Sequence, residues 1–162
     1  MTKFTLANTE LDYNTIASLA EIIWKEHYIS IIGVQQVDYM LEKFQSAKAI
    51  KEQILDGASY FIIKNQNTNV GYLSYSKKND SLFLSKLYVL SSSRGKGFGK
   101  SAMKFIQDEA EKKGFTSISL TVNKYNTASI KAYEKMGFKK IKAIVMDIGN
   151  GYIMDDYFME KS

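Results

Sequence analysis

A chain of 162 residues lies within the range of a single domain and is long enough to bury a sizeable core. It has no cysteine, which excludes a disulfide framework, a thiolate metal site and a cysteine nucleophile. The net charge of +5 comes from lysines interleaved with Asp and Glu rather than from a basic block, so it suits an anionic small molecule better than nucleic acid. No apolar run is long enough to span a bilayer, and the N-terminus lacks a charged-then-apolar leader, so a soluble cytoplasmic protein is expected. With no repeat, linker or shift in composition, residues 1–162 read as one domain.

In chain order, residues 3–7 read as a short strand. Residues 15–28 read as a helix with Ile16, Leu19, Ala20 and Ile23 on one face. Val37, Met40, Leu41 and Phe44 mark a second helix, and Ile50 and Ile54 a third. Residues 60–63 and 70–75, around a polar turn, read as a hairpin, and residues 77–80 turn into an apolar strand over 82–90. After a glycine cluster, Phe98, Ala102, Phe105, Ile106 and Ala110 recur at helical spacing up to Lys112-Lys113-Gly114. Ile118, Leu120 and Val122 alternate with polar residues, as a strand does. Asn126 or Thr127 can cap a short helix that Gly137 closes, and Phe138 begins the next strand. Residues 144–148 and 152–159 flank Gly149-Asn150-Gly151, a hairpin turn. The order β-α-α-α-β-β-β-α-β-α-β-β predicts an α/β protein: a mixed central sheet with antiparallel N-terminal strands and helices on both faces.

The glycine cluster carries chemistry. Of 22 basic side chains only Arg94 is arginine, and it opens Arg94-Gly95-Lys96-Gly97-Phe98-Gly99-Lys100-Ser101. A guanidinium offers a flat fork of donors where lysine offers a point charge. Glycines between a strand and a helix start let backbone N–H groups close on a phosphate, and the helix adds partial positive charge. A P-loop needs glycine where Arg94 stands, and a dinucleotide fingerprint begun at Gly95 needs glycine where Lys100 stands. The pattern Arg/Gln-x-x-Gly-x-Gly/Ala is met in full by Arg94, Gly97 and Gly99.

About thirty residues on, Asn126, Ser129, Tyr133, Gly137 and Phe138 fit Asn-x-x-Ala/Ser-x-x-x-Tyr-x-x-x-Gly-Phe. With both patterns in this order, the chain resembles the GNAT superfamily of N-acetyltransferases over about residues 58–162. The resemblance implies the GNAT fold, with a splayed parallel strand pair, and acetyl-CoA as cofactor. It implies a pyrophosphate loop of Arg94, Gly95, Lys96, Gly97, Phe98, Gly99 and Lys100, and a cofactor arm held by Leu87, Tyr88, Val89, Asn126, Ser129 and Tyr133. Two catalytic roles follow: the Val89 N–H polarises the thioester carbonyl, and Tyr133 is the general acid for a thiolate whose conjugate pKa is about 8.5. The amine attacks directly, with no acyl-enzyme.

The general base departs from the family pattern. Many relatives carry a glutamate on the strand before the loop, where this chain has Ser85-Lys86-Leu87, and a lysine there serves only if its pKa is strongly depressed. Glu26, His27, Asp155 and Asp156 are the groups expected on the acceptor side, with water relaying the proton as an alternative. Adjacent Asp155 and Asp156 point to opposite strand faces, so one of them meets the acceptor. These carboxylates favour a cationic small amine such as a polyamine. A protein N-terminal amine, as in ribosomal-protein acetyltransferases, and a non-catalytic acyl-CoA-binding module are the alternatives. The partners expected are acetyl-CoA and an amine acceptor, without nucleic acid, membrane or metal; a homodimer is an assembly the sequence leaves open.

Overall fold

The computed structural model describes residues 2–162. Its strands are β1 (Thr2–Leu6), β2 (Ser59–Asn65), β3 (Thr68–Lys78), β4 (Ser81–Val89), β5 (Ser117–Asn123), β6 (Lys139–Gly149) and β7 (Tyr152–Lys161). Its helices are α1 (Glu10–Ile32), α2 (Val34–Gln45), α3 (Ala47–Leu55), α4 (Phe98–Lys112) and α5 (Thr127–Lys135). The expected element order is therefore met, with one 3₁₀ turn, Ser91–Ser93, added before the glycine loop.

Helix α1 is longer than expected at both ends. Helix α1 begins at Glu10 rather than near Thr15, because Thr9 and Asp12 form a capping box that the apolar periodicity does not show. It runs on to Gly33, whose positive φ of 85° ends it. Strand β6 runs unbroken from Lys139, one residue after the Phe138 expected to begin it, through exposed lysines to Gly149.

The seven strands lie in the order β1-β2-β3-β4-β5-β7-β6, with β7 inserted between β5 and β6. All pairs are antiparallel except β4 with β5. Two cores cover the two faces. Ile16, Ile23, Trp24, Val37 and Ile50 of α1–α3 pack on one face, and Phe98, Ala102, Ile106 and Ile130 of α4 and α5 on the other. A buried polar string ties the first layer to the sheet: Trp24 Nε1 donates to the Tyr72 hydroxyl at 3.0 Å, which donates to Gln45 Oε1 at 2.6 Å. Each buried polar atom in that string finds a partner, which removes the cost of its desolvation.

One irregularity shapes the middle of the sheet. Tyr75 pairs with Leu84 and Ser74 with Lys86, so Ser85 is an extra residue in β4, a bulge whose Oγ donates to the Ser74 carbonyl at 3.2 Å. The bulge reverses the side-chain alternation. Leu84 and then Leu87 and Val89 face the α4/α5 core, while Tyr88 and Leu90 face the α1–α3 core. It also bends β4 away from β5, whose parallel pairing ends at Leu84↔Leu120.

Candidate active site

The backbone beyond that point supplies a docking edge. The Leu90 N–H donates to the Val70 carbonyl at 2.8 Å. In an antiparallel ladder alternate residues turn their polar groups the other way, so the N–H and C=O of Leu87 and Val89 point toward β5. There they meet no strand, since β5 pairs with β4 only through Leu120 and with β7 on its far side. Two strands with unsatisfied facing edges bind an extended amide-containing chain as an added strand would.

A cleft of about 370 Å³ occupies this gap. It is lined by Leu87, Tyr88 and Val89 from β4, Arg94 and Gly99 from the glycine loop and α4, and Asn126, Ser129 and Tyr133 from α5. Gly97 has φ +82° and serves as a left-handed N-cap without a capping side chain. Ser101 is the first residue of α4 whose N–H finds a helical acceptor, Gly97 O at 3.0 Å, which leaves three N–H groups at the helix start open to an anion. Gly99 is more telling. Its φ is not positive, and a Cβ placed there would touch nothing within 4 Å. Neither backbone conformation nor packing calls for glycine at this position in the first turn of the helix. Close approach of a ligand to the backbone is the remaining physical reason, and a pyrophosphate group fits it.

The same loop separates its residues by role. Gly95, Lys96 and Lys100 are exposed and off the cleft wall, and the Phe98 ring is buried in the α4/α5 core, so these four offer backbone N–H groups or, for the lysines, peripheral charge. Across the cleft, Asn126 caps α5, its Oδ1 accepting from the Ser129 N–H at 3.3 Å. That fixes its amide nitrogen as the group 2.8 Å from His27 Nε2, so His27 accepts there and carries its own proton on Nδ1. Burial first, and the Arg94 charge second, lower the His27 pKa, which keeps the ring neutral and able to accept. The Tyr133 ring packs edge-on against Phe138 at 5.7 Å, and its hydroxyl has no protein partner among the described residues. Burial pushes the Tyr133 pKa up, with the nearby Tyr28 adding to it, so the hydroxyl stays protonated and available as a donor.

A second cavity, about 60 Å³, opens on the α1/α2 side of the splay. Trp24, Tyr28, Met40, Tyr88 and Met154 wall it, and Asp156 closes it. It shares Tyr28, Ser85, Tyr88, Thr121 and Val122 with the first cleft, so the two meet through the gap between the strands. Asp156 is 6% exposed, and its Oδ1 has no hydrogen-bond partner. Burial raises its pKa to about 6, Asp155 adding to the shift and Lys124 opposing it. A buried carboxylate beside three aromatic rings suits a cation, which gains from the charge and from the ring faces.

Among the expected acceptor-side residues, therefore, Asp156 alone lines this cavity. Asp155 points to the opposite face of β7 and pairs with Lys124 at 2.7 Å. Glu26 lies at the surface, accepting from the Ser91 N–H at 3.3 Å and the Ser91 hydroxyl at 2.8 Å. His27 lines the larger cleft rather than the smaller one. Trp24, Met40 and Met154 were legible only as apolar positions, and Lys86, set against as a base, proves to line the larger cleft. The one sequence signal for this geometry was Ser85, a polar residue interrupting an apolar strand.

The profile of the acetyltransferase (GNAT) family matches residues 16–138. Over 66 residues the chain is 36% identical to a streptothricin acetyltransferase of Streptomyces lavendulae, a stretch covering 41% of this chain and 35% of that protein. The chain thus spans about a third of the length of that curated relative. The fold is similar to that of the PaiA N-acetyltransferase of Thermoplasma acidophilum, solved in complex with coenzyme A, with a TM-score of 0.83 at 20% identity over 100% of this chain and 99% of that one. It is also similar to the ribosomal-protein-S18-alanine N-acetyltransferase of Escherichia coli, with a TM-score of 0.74 at 18% identity over 99% and 93% of the two chains. By its profile match, its two motifs and its split β4–β5 pair, the chain belongs to the acetyltransferase (GNAT) family.

Proposed function

We propose that the protein transfers the acetyl group of acetyl-CoA directly to the primary amine of a small cationic acceptor, a polyamine being the type we favour. The observation that carries this reading is Asp156, a buried carboxylate without a partner, at the end of an aromatic cavity that joins the larger cleft through the splayed strands. Acetyl-CoA would supply an acyl group activated as a thioester. Arg94, Gly97, Gly99 and the first N–H groups of α4 would hold its pyrophosphate, and the free edges of Leu87 and Val89 its pantetheine arm.

The chain's own groups then divide the work. The Val89 N–H donates to the carbonyl that gains negative charge. The Tyr133 hydroxyl donates toward the leaving sulfur, and Asn126 and Ser129 keep the α5 wall in register with it. Asp156 binds the ammonium and, with a pKa near 6, takes its proton as the amine is freed for attack. Holding both reactants in the joined cavities supplies several kcal/mol of the acceleration. We further take the assembly to be a homodimer through the open edge of β6, where Ile141, Val145 and Met146, with Ile153 of β7, are more than half exposed. Sedimentation as a monomer at micromolar concentration would overturn that assembly.

Thiol release from acetyl-CoA across a panel of amines tests the function. Turnover with spermidine and other unbranched primary amines is expected. Turnover with peptide N-termini alone would move the acceptor to proteins, and cofactor binding without turnover on any amine would leave a non-catalytic acyl-CoA-binding module.

A further inference from the structure

One nucleophile in the larger cleft has no task in the reaction above. Lys86 lines it beside the Ser85 bulge, in the company of Leu87, Val89 and Tyr133. The ionisable residues that share this wall are His27, Tyr28, Tyr88, Arg94 and Tyr133, and no carboxylate lines it. None of the five ion pairs among the described residues includes Lys86. A half-buried ammonium without a counter-charge is disfavoured, and burial lowers the Lys86 pKa to about 8. Near neutral pH an appreciable share of Lys86 is then the free amine, whereas an ordinary lysine with a pKa of about 10.4 is almost wholly charged.

The position matters as much as the protonation. Leu87 and Val89, whose edges face the gap, stand one and three residues beyond Lys86 on the same strand, and the lysine's four-carbon stem is flexible. An acyl donor seated on those edges therefore shares its cleft with an amine that is partly uncharged before any acceptor arrives. Attack within one complex proceeds with an effective concentration far above that of any amine in solution.

We propose that Lys86 is a self-acetylation site, modified by acetyl-CoA bound in its own cleft when no acceptor amine is present. The proposal rests on the cofactor reading above. The uncharged Lys86 Nζ attacks the thioester carbonyl carbon, a C–N bond forms and the C–S bond breaks. The nitrogen loses one proton, the departing sulfur gains one through the Tyr133 hydroxyl or water, and the products are Nε-acetyl-Lys86 and free coenzyme A. Acetylation converts an ionisable amine into a bulkier neutral amide inside the cleft, so the modified protein binds acetyl-CoA less well and turns over more slowly. An acceptor amine at saturating concentration consumes the acyl group first and protects Lys86. The device would tie the activity of the protein to the supply of its acceptor.

The test uses the purified full chain incubated with acetyl-CoA alone, with peptide mass mapping over time and calorimetry for cofactor affinity. With 22 basic residues of which one is Arg94, 21 lysines report on site selectivity. Acetylation is expected at Lys86 at least tenfold faster than at any exposed lysine such as Lys104, with near-stoichiometric occupancy. Saturating spermidine should suppress it, as should free coenzyme A, while the slow background on exposed lysines persists. Lys86→Arg should abolish the fast phase and leave the background. Cofactor binding with Lys86 modified no faster than exposed lysines would overturn the proposal and leave the function standing. Absence of cofactor binding would overturn both.

Discussion

At the scale of single residues, the site depends on groups held in unfavourable protonation states or without partners. Asp156 shows this in opposite effects on stability and on activity. Its folded pKa of about 6 lies above its ordinary value of 3.8, so folding favours the protonated acid. Below pH 4 the carboxyl is protonated in both folded and unfolded chains and costs nothing. As pH rises from about 4 to about 6 the unfolded chain releases the proton more readily, and stability falls by roughly 3 kcal/mol, a loss complete above that window. Asp156→Asn should flatten this decline, which thermal unfolding at pH 4 and pH 8 would show as a smaller difference in Tm than in the parent. The same substitution should remove the rise in kcat/KM near pH 6 and weaken a polyamine by the 1.5–3 kcal/mol typical of a charge-assisted contact, that range being approximate. If the Asn variant keeps both the parent's pH profile and its amine affinity, Asp156 is neither base nor anchor. Tyr133 gives a second residue-level expectation. Because its ring packs on Phe138 and Tyr133→Phe keeps that ring, the substitution should leave the KM for acetyl-CoA nearly unchanged and lower kcat at least tenfold, or about 1.4 kcal/mol of barrier. Full activity in that variant would make Tyr133 a packing residue.

At the scale of elements, what could be read in the sequence divides along a physical line. Order and type of every strand and helix follow from local apolar periodicity, and the α4 and α5 ends of the cleft follow from two compact motifs, Arg94 to Gly99 and Asn126 to Phe138. These are short-range patterns in which residue type and backbone conformation are coupled within a few positions. Contacts between distant segments are not coded that way. Which of Asp155 and Asp156 faces the aromatic cavity depends on the register of β7 between β5 and β6, set by Asn123↔Asp156 and Ile144↔Asp156. The engagement of His27 with Asn126 depends on where the end of α1 meets the start of α5, and Glu26 meets Ser91 by the same accident of packing. The wall opposite them is latched by α2, whose Tyr39 hydroxyl donates to the Ile148 carbonyl at 2.7 Å and whose Gln36 donates to the Ile153 carbonyl at 2.8 Å. The start of α4 yields the prediction at this scale. Since a Cβ on Gly99 meets open space and its φ is not positive, Gly99→Ala should fold as well as the parent or slightly better without ligand. Coenzyme A affinity should nonetheless fall at least tenfold, because the methyl group takes the room a pyrophosphate needs. Calorimetry returning the parent affinity would remove the loop from the cofactor site.

At the scale of the whole molecule, the sheet is two half-sheets joined at a short seam. Strands β1 to β4 form one antiparallel unit and β5, β7 and β6 another, and between them the ladder runs only from Ser81↔Ser117 to Leu84↔Leu120. The lower part of the seam is well closed, with the Ser81 hydroxyl donating to Ser119 Oγ at 3.0 Å and both serines buried. Its upper part leaves Leu87 and Val89 on one side and Thr121 to Asn123 on the other with no strand partner across the gap. An unprotected backbone edge exchanges its amide hydrogens far faster than a paired one, which makes the gap visible in solution. The amides of Leu87 and Val89 are therefore expected to exchange orders of magnitude faster than their neighbours Tyr88 and Leu90, which bond to β3. Coenzyme A should slow exchange at Leu87 and Val89 selectively, by filling the gap as a missing strand would. It should also raise the stability of the whole chain, because a ligand bridging both halves binds only the folded state; at a hundredfold excess over Kd the gain is about 2.7 kcal/mol. Protection confined to the glycine loop, with Leu87 and Val89 still exchanging freely, would mean that the cofactor is held by its phosphates alone. The splay would then be a structural irregularity of the bulge at Ser85 rather than a binding channel.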